Sequence, residues 1–142
     1  RLSAGIRKTV GAAECLVRLL RVFVEKNGLY LQIDTVDPVA MEKAMRACNG
    51  KPLVNSVNGK PESMEAVFPL VKKYGGVMIA LTIGPDGIPE TAEGRYAIAA
   101  DIVAKAEAYG IDRRNIVVDP LATAASVALY NRYGISSSWK LC

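Results

Sequence analysis

Four short apolar runs punctuate the chain: "LYLQID" at 29–34, "PLVNSV" at 52–57, "VMIALTI" at 77–83 and "NIVVD" at 115–119. They are mostly unbroken rather than alternating, the pattern of strands buried on both faces of a parallel sheet. Between them, apolar residues return every three or four positions. Met41, Ala44, Met45 and Cys48 form one stripe, and Met64, Val67, Phe68 and Val71 a second. Ala92, Tyr96, Ala99, Ile102, Val103 and Ala106 form a third. This is the period of amphipathic helices. The predicted order is strand, helix, strand, helix, strand, helix, strand.

The punctuation residues agree. Pro38 and Pro61 fall where a first helical turn tolerates proline, and Asp37 and Thr91 precede helices as caps. Glycines at 75 and 110 fall where the second and third helices should stop, and "GPDGIP" at 84–89 is a turn-rich loop. Upstream, Ala12, Leu16, Leu19, Leu20 and Phe23 share one helical face. Glu14, Arg18, Arg21 and Glu25 lie on the other at ion-pair spacing, predicting one more helix packed on the sheet.

Repeated strand and helix units imply an α/β parallel sheet, either open and doubly wound or closed as a barrel. No Gly-x-Gly-x-x-Gly follows a strand and no Gly-x-x-x-x-Gly-Lys occurs, so the nucleotide-binding open sheets lose their main support. An eight-unit (β/α) barrel takes about 250 residues. The 142 residues here supply about half of one and begin on Arg1, not methionine, so the expectation is a piece of a longer barrel.

Composition narrows the chemistry. With 51% apolar and 23% charged residues the chain is built to fold. Its longest apolar runs are far short of the roughly 18 to 20 residues of a membrane span, and no signal-peptide pattern opens it. A cytoplasmic protein with no membrane contact is expected. The net charge of +4 belongs entirely to residues 1–26, which hold six Lys or Arg and two Glu; the remainder is neutral. One charged helix face explains that better than a phosphate-tracking surface, so nucleic acid is not an expected partner. Cys15, Cys48 and Cys142 lack Cys-x-x-Cys spacing and the chain has no histidine, which argues against a bound zinc and excludes Ser-His and Cys-His nucleophile pairs. Chemistry here must use carboxylates, amides and hydroxyls.

Each apolar run ends on such groups: Asp34, then Asn55 with Ser56, then Thr82, then Asp119. In a parallel barrel these ends converge on the rim that carries active sites. A single Asp at a strand end is more often a turn former than a catalyst, but four polar ends in succession favour a site.

The blocks "LQIDT", "KPLVNSVNGK", "MEAVFPLVKKYGGVMIALTIGPDGIPETAEGR" and "YGIDRRNIVVDPLA" resemble the pterin-binding TIM barrels of the methyltetrahydrofolate-dependent methyltransferases. The folate domain of cobalamin-dependent methionine synthase is the branch they look most like. The likeness runs from about Leu31 to Ala122, while residues 1–28 and 123–142 look atypical, giving one partial barrel domain over 1–142. The resemblance implies that Asp34, Asn55 and Asp119 contact the pterin and act in the reaction. Ser56 and Thr82 are weaker site candidates, each more readily read as structural.

These residue types suit a pterin, which offers an amine and ring N–H donors that a carboxylate accepts in pairs, while Asn both donates and accepts. An Asp buried at such a rim would need donors of that kind. The resemblance further implies transfer of the N5-methyl of methyltetrahydrofolate to a corrinoid carried by another domain or protein, as in methionine biosynthesis, with no metal held by this chain. The related methyltransferases that serve a separate corrinoid/iron-sulfur protein share these residues. The family's later "SN" segment has no counterpart here, which leaves an inactive, pterin-binding half barrel with open strand edges prone to self-association as the non-enzyme alternative. Dihydropteroate synthase has a similar fold, but "NSVNGK" favours the methyltransferases.

Overall fold

The computed structural model describes residues 31–122. The elements follow the predicted order. Strand β1 spans Gln32–Asp34, helix α1 Pro38–Ala47, β2 Leu53–Asn58, α2 Pro61–Tyr74, β3 Val77–Leu81, α3 Ala92–Tyr109 and β4 Ile116–Asp119, with a 3-10 turn at Arg113–Asn115 before β4. The strands form one sheet in the order β1-β2-β3-β4, every neighbour parallel. A helix in each crossover and strands in sequence order are the arrangement of a partial (β/α) barrel. The basic helix predicted upstream lies outside the described residues, as do Cys15, Cys142 and both atypical ends.

Local chemistry sets the boundaries. Asp37 caps α1, its Oδ1 accepting from the Val39 N–H at 2.9 Å, and Thr91 Oγ1 accepts from the Gly94 N–H at 3.1 Å to cap α3. α2 and α3 end on Gly75 and Gly110 at φ +74° and +89°, a conformation that costs a residue with a Cβ.

The core lies between the helices and one face of the sheet. Ile33, Val54, Val57, Met78 and Ala80 from the strands pack with Met41, Ala44, Met45, Met64, Val67, Phe68, Val71, Ile102 and Ala106 from the helices. The first two predicted stripes are therefore core, apart from Cys48, which is half-buried at the end of α1.

Two expectations are corrected. The strands are not buried on both faces: buried residues alternate with exposed ones along β1 and with half-exposed ones along β3, because among the described residues the helices cover one face only. The third stripe holds at Ile102 and Ala106, both fully buried, but not at its N-terminal end. Tyr96 is 76% exposed, and Arg95, Ile98, Ile102 and Ala106 take the inward positions. An arginine at an inward position hid the start of the stripe from a count of apolar residues.

Candidate functional site

The sheet's second face carries Asp34, Asn55 and Asp119, and register shows which of them meet. Asp34 pairs with Asn55, Asn55 with Ile79, and Ile79 with Val117. These four form a row one residue past Ile33, Val54 and Met78, which are buried, and Ile116, which packs against the core, so they lie on the face away from the helices. Asp34 and Asn55 sit side by side on neighbouring strands. Asp119 lies two residues further along its strand than Val117, in a row with Leu81 and Asn58.

β2 reaches both rows through an irregularity. Its register with β3 shifts between Asn55 and Val57, leaving Ser56 without a partner there. The peptide joining Asn55 to Ser56 is cis. A regular strand would turn Asn55 and Asn58 to opposite faces. Here Asn55 aligns with Ile79 and Asn58 with Leu81, which are two apart, so both asparagines share the second face while Val57 returns to the core.

Asn58 does not stand out in the sequence. The "NSVN" spacing of three conceals it, because strict alternation opposes it to Asn55. Its Oδ1 accepts from the Lys60 N–H at 3.0 Å, and its own N–H donates to Ser63 Oγ at 3.1 Å. The following Gly59 is required by space: a Cβ there would stand 2.9 Å from Ile98 Cγ2 and 3.0 Å from the Ile83 carbonyl oxygen. Gly59→Ala is expected to lose about 1 to 3 kcal/mol of stability through overpacking. Urea unfolding checks this, and an unchanged midpoint would contradict the close approach.

The remaining candidates differ in surroundings. Asp34 is exposed, not buried, so water can satisfy it and a ligand is not needed for that purpose. Among the described residues no donor is assigned to its carboxylate. Asp119 is half-buried and its Oδ1 accepts from the Leu121 N–H at 2.8 Å. Thr82 is 1% exposed; its hydroxyl and its N–H both donate to the Asp119 carbonyl oxygen, at 3.4 and 3.2 Å. That is a structural contact joining β3 to β4. Ser56 is half-buried beside Asn55.

Ion pairs shift carboxyls on the scaffold. Hydrogen bonds from the Arg114 side chain and backbone push the Asp112 carboxyl down to about 2, ahead of β4 and so at the opposite end of the strands from the rim. Hydrogen bonds from Lys73 and Tyr74 lower the Glu42 carboxyl where α1 meets α2. Both are surface ion pairs of the scaffold.

A family model described as pterin-binding enzyme matches residues 4–137. The chain belongs to the pterin-binding enzyme family. Among curated relatives, a methylcorrinoid:tetrahydrofolate methyltransferase from Eubacterium limosum is 30% identical over 115 residues, which are 80% of this chain and 42% of that protein. A methionine synthase from Mycobacterium tuberculosis (strain ATCC 25618 / H37Rv) is 28% identical over 101 residues, 67% of this chain and 8% of that protein. The chain thus spans less than half the length of either relative. Among the described residues no helix is long and apolar enough to cross a membrane.

Proposed function

We propose that the second face of the sheet holds the pterin ring of methyltetrahydrofolate, and that the intact protein moves a methyl group between the folate N5 and a corrinoid. The observation that carries this is the side-by-side placement of Asp34 and Asn55 in a family of pterin-binding enzymes. A carboxylate without a donor among the described residues, beside an amide that can donate and accept, matches the pterin edge, where an exocyclic amine and N–H groups adjoin a carbonyl.

On this reading Asp34 accepts from the pterin's donors and Asn55 fixes its register. Asp119, further along, offers Oδ2 while Oδ1 stays engaged with its own loop. The amine at N5 is a poor leaving group, so the chain must orient it and keep it hydrogen-bonded or protonated while the methyl departs. The corrinoid, brought by another domain or protein, supplies the cobalt that takes or gives the methyl. Both relatives named above fit, since binding the pterin serves either direction of transfer. A cytoplasmic location accords with such a substrate.

Titration calorimetry of the intact protein with methyltetrahydrofolate tests the proposal. Saturable binding of one pterin per chain is expected. Absence of binding at millimolar ligand would end it.

A further inference from the structure

We propose that Arg95 is a positioning residue for this site, setting the Asp119 carboxylate through the backbone of the loop that follows β4. The inference rests on the pterin reading above and extends it to a residue on a helix behind the rim.

Arg95 lies in the first turn of α3, at the inward position that an apolar residue would ordinarily fill. Its Nε donates to the Pro89 carbonyl oxygen at 2.8 Å, and its Nη1 donates to the carbonyl oxygens of Pro120 at 3.2 Å and Leu121 at 3.5 Å. One guanidinium thus joins the loop before α3 to the loop after β4. A planar fork with several fixed donors can bridge two strands of backbone at once; an ammonium on a flexible stem cannot hold the same pair in one geometry.

The held segment needs holding. Leu121 has φ +54°, a left-handed conformation that costs a non-glycine residue about 1 to 2 kcal/mol and persists only when its surroundings over-determine it. Three sets of contacts do so. The Leu121 N–H is taken by Asp119 Oδ1, the Leu121 and Pro120 carbonyls by Arg95, and the Asp119 carbonyl by Thr82. Asp119 Oδ1 is therefore locked by the same turn that Arg95 clamps, and the orientation of Oδ2 follows from it. Loss of the clamp releases the turn and with it the direction of the carboxylate.

The test is a double-mutant cycle on the intact protein, read as methyltetrahydrofolate affinity by calorimetry. Arg95→Lys should weaken binding about tenfold, the worth of one well-placed hydrogen bond to a charged group. In an Asp119→Asn background the further loss should vanish; in an Asp34→Ala background it should remain whole. Equal losses in both backgrounds, or none in either, would overturn the assignment. Arg95→Gln repeats the cycle if the lysine variant does not fold.

Amide hydrogen exchange separates this inference from the pterin reading. Arg95→Lys should speed exchange at Leu121 about tenfold while leaving Ile102 unchanged. If the wild-type protein binds no pterin, the functional reading fails, and selective acceleration at Leu121 still upholds the clamp. Unchanged exchange at Leu121 overturns it whatever the ligand result.

Discussion

Replacing Asp34 with alanine is expected to weaken methyltetrahydrofolate binding about a hundredfold while leaving the unfolding transition almost where it was. The affinity figure follows from hydrogen bonds to a charged acceptor, worth roughly 1.5 to 3 kcal/mol each, of which a pterin edge can make two. The stability figure follows from position. Asp34 ends β1 on an exposed face and caps no helix, so its removal leaves no buried group unpaired. Asp34→Asn sharpens the test. The amide keeps the shape but turns a donor toward the ring's own donors, so its loss should approach that of alanine. Calorimetry showing wild-type affinity in either variant would remove Asp34 from the site.

Pairing decides why Asp34 leads and not its neighbour Asp37. Asp37 Oδ1 is occupied by the Val39 N–H, and the Asp37 N–H donates to Thr35 Oγ1 at 3.2 Å. That carboxylate starts a helix. The two acids stand three residues apart, and the hydrogen bonds commit Asp37 to the helix start while leaving Asp34 as the proposed pterin acceptor.

The elements themselves were legible because each rested on a local signal. Proline at two helix starts, glycine at two helix ends and the Asp37 and Thr91 caps act within a few residues, and all six stand where the spacing put them. What escaped was non-local. Arg95 looks like a surface residue in "TAEGRY", since the carbonyls that receive it lie on another loop, up to 26 residues along the chain. Asn58 was hidden by the shifted register at Ser56, which a strict period of two cannot represent. Asp34 closes a run that reads as buried on both faces and is itself exposed, because continuous hydrophobicity along a run does not say which face a neighbouring layer will cover.

The largest loss of stability is expected at Phe68. It is 4% exposed on α2, in the stripe with Met64, Val67 and Val71, and its ring meets that of Tyr109 on α3 at 5.9 Å with a 53° tilt. Phe68→Ala removes a buried aromatic that joins two helices, a change that costs about 3 to 5 kcal/mol, against a total of roughly 5 to 15 for a domain. Tyr109→Ala should cost much less, because Tyr109 is 49% exposed and its removal leaves no closed cavity. Urea unfolding with an unchanged slope checks both, and a loss under about 1 kcal/mol at Phe68 would contradict the packing. Ligand then links this core to the rim. Methyltetrahydrofolate at a hundred times its dissociation constant should restore about 2.7 kcal/mol to Phe68→Ala, whose polar rows are intact. The same concentration should add only about 0.4 kcal/mol to Asp34→Ala, for which it merely equals the weakened constant. One variant is unstable and rescued by pterin; the other is stable and indifferent to it.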